Sequence, residues 1–227
     1  MMISNWKIIV AFLAILVLVA SATAGDGKPS VPFTIAQLKY SGSGDWYADH
    51  SALENLLDFA KKNAGIPAVS TGKYVEPTDD DLFNYPYIFM AGHGDIRFSD
   101  NDLERLRNYL TNGGFLHADD DYGMDKSFRR EMKRLFPDKE LVELPFDHDI
   151  YHCFFDFPMG LPKIHEHDNK PAQGFGIFDK GRLIVFYSYE CDLGDGWEDY
   201  EVHKDPPEKH KAALEMGTNI IVYAMTH

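Results

Sequence analysis

Twice in this chain a short, unbroken apolar run stops abruptly in glycine or aspartate. Tyr87-Ile88-Phe89-Met90-Ala91 ends in Gly92-His93-Gly94-Asp95, and Phe115-Leu116-His117-Ala118 ends in Asp119-Asp120-Asp121. A run of four or five residues without polar alternation reads as a strand covered on both faces. Between the two, Ser99 with Asp102 marks a helix start, Leu103, Leu106 and Leu110 recur at helical spacing, and Gly113-Gly114 close the helix. Strands covered on both faces and joined by helices restrict the chain to a mainly parallel sheet between two helical layers.

Flanking segments extend that pattern. Phe33–Tyr40 reads as a strand that ends in the loop Ser41–Trp46. Ser51 with Glu54 predicts a capping box for a helix whose Leu53, Leu56, Leu57 and Ala60 share one face up to Asn63 and Gly65. Ile66–Ser70 reads as a second strand, Thr78–Phe83 as a helical turn, Ser127–Phe136 as a helix stopped by Pro137, and Leu141–Leu144 as an edge strand. Beyond Phe146 the chain turns aromatic and His-rich. Lys163–Asp168 alternates like a short strand, and Gly174–Phe178 and Leu183–Tyr189 form a hairpin around Asp179-Lys180-Gly181. An acidic loop spans Glu190–Glu201. A last helix opens at Asp205-Pro206-Pro207-Glu208, with Ala213, Met216, Ile220 and Ala224 facing inward. The expectation is one α/β domain over 33–227, with a C-terminal hairpin lobe from about 146.

Lys7 and the 13-residue apolar run Ile8–Ala20 precede Ala22-Thr23-Ala24. Such a run spans about 20 Å, short of a ~30 Å hydrocarbon core. Residues 1–24 therefore read as a cleaved signal peptide, or else as an uncleaved N-terminal anchor, and 25–32 as a linker; cleavage predicts a periplasmic or extracellular protein without a membrane span. The chain has 22 Lys+Arg against 36 Asp+Glu, a formal charge of −14. That balance excludes a nucleic-acid partner, because phosphate binding needs concentrated cations. In an exported chain Cys153 and Cys191 either pair, closing a loop of about 38 residues worth about 4 kcal/mol, or remain two separate buried thiols. The second arrangement is favoured, since both sit in aromatic, strand-like surroundings.

Ligands of open α/β sheets bind beyond the carboxyl ends of the strands. That rule gathers Ser41–Tyr47, Gly92–Phe98, Asp119–Gly123 and Glu190–Trp197 at one rim. His93, between two glycines, is a candidate acid or base, or else fills a turn. Asp119 and Asp120 are candidate catalytic carboxylates or cation ligands, or else cap the next helix. At most two of the three neighbouring aspartates can converge. On a strand His165 and His167 would share one face and chelate a metal, or else be hydrogen-bonded within a half-buried strand; Lys163 beside them is a candidate ligand contact. Asp192 and Asp195 belong to a segment with six acids in twelve residues, a cation site or a solvated loop. Trp46, Tyr47 and Trp197 are the candidate aromatic wall for a carbohydrate. No Gly-x-Ser-x-Gly elbow, Walker loop or dinucleotide fingerprint is present.

Ser43-Gly-Asp-Trp-Tyr47, Ala91-Gly-His-Gly94, Asn112-Gly-Gly-Phe-Leu-His-Ala-Asp-Asp120, Leu161-Pro-Lys-Ile-His-Glu-His-Asp168 and Asp192-Leu-Gly-Asp-Gly-Trp-Glu-Asp199 together resemble a bacterial family of exported or membrane-attached proteins of unknown function. That family looks related to class I glutamine amidotransferase-like domains, including ThuA-like proteins. The resemblance implies a flavodoxin-like three-layer sandwich. The turn where those amidotransferases carry a nucleophilic Cys holds Asp119-Asp120-Asp121 here, so thiol glutaminase chemistry is not expected. The functional expectation is a rim pocket for a small polar or carbohydrate ligand, with a divalent metal as its cofactor and hydrolysis by carboxylates or metal-bound water. A non-catalytic domain contacting envelope proteins is the alternative.

Overall fold

The computed structural model describes residues 32–70 and 72–227. The expected signal peptide, and all of the linker except Pro32, lie outside these residues. In chain order the strands are β1 (Ile35–Leu38), β2 (Ser41–Gly42), β3 (Tyr74–Val75), β4 (Tyr87–Met90), β5 (Ile96–Arg97), β6 (Phe115–Asp119), β7 (Val142–Glu143), β8 (Gln173–Asp179) and β9 (Arg182–Tyr189). The helices are α1 (Ala52–Ala64), α2 (Asp100–Thr111), α3 (Asp125–Leu135), α4 (Leu193–Trp197), α5 (Tyr200–His203) and α6 (Pro207–Thr226). Single 3₁₀ turns occupy Asp80–Asn84 and Asp149–Tyr151.

Seven strands form one sheet in the order β3-β1-β4-β6-β9-β8-β7. The first five are mutually parallel, β8 runs antiparallel to β9, and β7 antiparallel to β8. Strand order reverses direction at β1, as in doubly wound sheets, so a crevice opens between the ends of β1 and β4. Side-chain alternation decides what each face covers. Ile35, Tyr87, Phe89, Phe115 and Phe186 pack against α1 and α6; Ala36, Ile88, Met90, Leu116 and Val185 pack against α2 and α3. This is the three-layer α/β sandwich.

The C-terminal hairpin does not stand apart as a lobe. β9 joins the parallel sheet beside β6, in the register Asp119 to Ser188, and α6 fills the layer beside α1. Lys180 (φ 50°) and Gly181 (φ 84°) make the two-residue turn between β8 and β9. Ile66–Ser70 contributes only one bridge, Ala68 to Phe33. Ser99 and Asp102 form the expected capping box of α2. Ser51 does not cap α1; its hydroxyl instead accepts from the Asp199 N–H, 3.0 Å away. Asp205 likewise leaves the capping position of α6 to Pro206 and faces His165. The two cysteines are free: Cys153 faces the Asn219 carbonyl, and Cys191 is buried beneath Asp119. No helix among the described residues is long and apolar enough to cross a membrane.

Candidate metal centre

The loops after β1 and β4 are locked together at the crevice. Gly92 (φ 129°) passes so close to Tyr40 and Asp45 that a side chain there would overlap both. Asp45 thereby accepts the His93 N–H through Oδ1 and faces His93 Nδ1 through Oδ2 at 3.3 Å, leaving the imidazole half-exposed.

The three aspartates after β6 separate by strand alternation. Asp120 turns toward α3, where it accepts the Met124 N–H at 2.9 Å and the Tyr187 hydroxyl at 3.1 Å. Burial pushes its pKa up to about 6. Asp119 turns the other way, and both of its oxygens are engaged. Oδ2 accepts the Gly194 N–H at 2.7 Å, and Oδ1 accepts the Ser188 hydroxyl. Burial raises Asp119 to about 8 even though those donors pull it down. Behind Ser188 runs a buried chain of hydrogen bonds. His117 Nε2 lies 2.8 Å from Ser188 Oγ and His117 Nδ1 lies 2.9 Å from the Tyr87 hydroxyl. Asp119 therefore ties the start of α4 to the end of β6.

Asp121 has no exposed surface, and neither of its oxygens has a hydrogen-bond partner among the described residues. Burial raises its pKa well above the carboxylate range, and the charges of Asp49, Asp119, Asp195 and Asp192 add to the effect. Asp49 Oδ2 and Asp192 Oδ1 are buried and unpartnered in the same way. Asp49 is raised by burial, then by Asp195, Asp119 and Glu198. Asp49 (φ 59°) and Asp192 (φ 55°) both hold the left-handed backbone conformation, a local cost that the surrounding fold must impose. A methyl group on Gly194 would overlap Asp49 Oδ2, so that glycine admits the carboxylate.

Histidines close this basin. His165 Nδ1 sits 3.1 Å from Asp192 and 3.2 Å from Asp195, and its Nε2 sits 3.0 Å from Asp205. Asp192 and Asp195 raise the imidazole to about 10. His203 Nε2 lies 3.1 Å from Glu198 and 3.4 Å from Asp195. Burial pushes Asp195 up, but His165 and His203 leave it below the usual carboxylate value. Two sets of ligand atoms gather within 4.8 Å of one another: His165, Asp195 and His203, and Asp49, Asp195 and Glu198. Carboxylate oxygens joined by two imidazoles make a donor set for a divalent cation.

A family model described as a domain of unknown function (DUF4159) matches residues 34–225. The chain belongs to the DUF4159 family. No curated protein matches it. In this DUF4159 domain His165 and His167 both reach Asp192, His167 Nε2 at 2.5 Å, and His165 also reaches Asp195. Lys163–Asp168 is an irregular connection and not the expected strand. Lys163 lies beside the basin, paired with the buried Glu190 at 3.1 Å. Trp197 is not at the rim. It is wholly buried, donates to the Ala213 carbonyl and packs on Phe89, so the expected aromatic wall does not assemble. Trp46 and Tyr47 remain together on the loop after β1, edge to face at 5.5 Å. The aromatic ring at the basin is Tyr122, stacked on His167 at 4.7 Å. Sequence pattern gives Asp49, Glu198, His203 and Asp205 no site role, and among the three neighbouring aspartates it points to Asp119 and Asp120 and not to Asp121. These five come from three stretches of chain, at 49, at 121 and over 198–205, and only the fold brings them together.

Proposed function

We propose that this DUF4159 domain binds a divalent cation in the carboxylate–histidine basin and uses it to hydrolyse a small polar ligand, carbohydrates included. The observation that carries this is Asp121, a buried carboxylate facing further acids with no donor on either oxygen. Such a group either takes up a proton, at a cost to folding, or is joined by a cation, and a cation gives the retained acid a use. A cation there polarises a ligand oxygen and lowers the pKa of a bound water. His93, held by Asp45 and bridged through its backbone to Tyr122, supplies a half-exposed imidazole for proton transfer. The strand order supports kinship with ThuA-like, amidotransferase-like domains, in a branch that works without a thiol. Burial raises the Cys191 thiol further from reactivity. Export through the 1–24 leader completes the proposal; mass spectrometry of the mature amino terminus tests it, with a chain beginning near Gly25 expected.

The full chain, purified without chelator, is analysed for bound metal and assayed on chromogenic glycosides, esters and phosphoesters, before and after chelation. The expected result is bound metal and chelator-sensitive hydrolysis that disappears in His165→Ala. A chain that carries no metal and shows no thermal response to Mn²⁺, Zn²⁺ or Ca²⁺ overturns this reading in favour of an interaction domain.

A further inference from the structure

Resting on that reading, we infer that the basin holds two cations bridged by Asp195. One lies on the imidazole side with His165 and His203, and the other on the interior side with Asp49 and Glu198. The two ligand sets share Asp195 and no other residue. Asp195 turns one oxygen toward His165, at 3.2 Å, and the other toward His203, at 3.4 Å, while its carboxyl also meets Asp49. Both oxygens face the imidazole set while the carboxyl also touches the interior set, so Asp195 is the one group through which two ions would be joined.

Charge favours the pair over a single ion. Asp49, Asp119, Asp121, Asp192, Asp195 and Glu198 converge here, and His165, His167 and His203 are the only bases in contact with them among the described residues. Histidines bind metal as neutral ligands. One divalent ion then leaves a large negative excess in a buried site, and two neutralise most of it. The orphaned oxygens give independent support. Asp121 has Asp49 and Asp195 of the interior set among its nearest charges, Asp49 itself belongs to that set, and Asp192, whose other oxygen meets His165, adjoins the imidazole set. The two positions also differ in chemistry. Two nitrogens suit a borderline ion such as Zn²⁺, Mn²⁺ or Fe²⁺; oxygens alone suit a hard ion such as Mg²⁺, Ca²⁺ or Mn²⁺. Paired ions about 3.5–4 Å apart clamp the attacking and leaving oxygens of a hydrolytic displacement.

Mn²⁺ suits both positions and reports on itself. The full chain is stripped with chelator, titrated with Mn²⁺, desalted, counted by elemental analysis and examined by electron paramagnetic resonance. The expected result is two Mn²⁺ per chain with an exchange-coupled spectrum. His203→Ala, on a partly exposed side chain, is expected to retain one ion with an uncoupled six-line signal and an unchanged circular-dichroism melt in chelator. A single ion per wild-type chain overturns the bridged pair and leaves the cation-binding proposal standing; no ion overturns both.

Discussion

A carboxylate with no exposed surface and no donor on either oxygen, as at Asp121, raises the free energy of the folded state unless a positive partner joins it. Asp121→Asn keeps the shape and removes the ionisable group, so folding without metal no longer has to protonate a buried acid. The metal-free variant is expected to be more stable than wild type by about 1–3 kcal/mol, a rise of several degrees in Tm, while its stabilisation by Mn²⁺ shrinks. Thermal melts in chelator and in Mn²⁺ read both effects, and a less stable metal-free variant refutes the account. His117 is the opposite case, a buried polar group with every position satisfied. Because the Ser188 hydroxyl donates to Asp119, it accepts from Nε2–H, and that tautomer leaves Nδ1 to accept the Tyr87 hydroxyl on a neutral ring. Burial lowers its pKa from 6.5 to about 3. Below pH 6.5 the unfolded chain gains a proton that folded His117 refuses until about pH 3. Stability is therefore complete above that window and falls as pH drops through it, by at most about 1.4 kcal/mol per unit. His117→Gln can accept and donate in the same directions without titrating. Denaturant melts at pH 7 and pH 5 should show a smaller loss for the variant, and equal losses would sink the assignment.

At the scale of elements, α4 decides where the basin's carboxylates stand. It seats Trp197 against Phe89 and α6, and Gly217 of α6 makes room for that ring. A methyl group there would come within 2.9 Å of Trp197 and 2.5 Å of Leu56. Gly217→Ala improves helix propensity by about 1 kcal/mol but overpacks this contact by about 1–3 kcal/mol. The expected outcome is net destabilisation in urea together with weaker cation binding, because Asp195 rides on the displaced helix. Unchanged cation affinity in a destabilised variant would separate α4 from the site. This packing also explains what could be read from sequence. The runs ending at Ala91 and Ala118 announced β4 and β6, since a strand covered on both faces needs continuous apolar residues whatever its neighbours are. The segment Glu190–Glu201 looked like a solvated loop because six acids outnumber its apolar residues. Its first half forms α4 because Leu193 and Trp197 are buried by α6, a partner remote in sequence. His165 and His167 were legible as a pair; their geometry was not, because an irregular connection and the left-handed turn at Asp192 set it.

At the scale of the whole molecule, the excess of acid is partly interior. The formal charge of −14 includes carboxylates brought from the ends of β6 and β9, from the loop before α1 and from α4 to one basin. Their mutual repulsion opposes folding, so a cation that binds only the folded chain must stabilise the whole domain. Ligand present at about 100 times its Kd adds about 2.7 kcal/mol per site, and at 1,000 times about 4.1 kcal/mol. For a domain of this size each kcal/mol is worth about 2–4 °C. Chelator-treated protein is therefore expected to gain about 5–15 °C in Tm for each site filled with excess Mn²⁺. Protons compete with metal for carboxylates and imidazoles, so the gain should be larger at pH 8 than at pH 6. Mg²⁺, which keeps its waters and prefers oxygen ligands, should give a smaller shift than Mn²⁺. Differential scanning calorimetry at both pH values separates this from nonspecific screening of surface charge. Screening would give equal shifts with Mg²⁺ and Mn²⁺ at one ionic strength, and would leave the Asp121→Asn response unchanged. Either outcome would return the acidity to the surface and remove the physical reason for a buried Asp121.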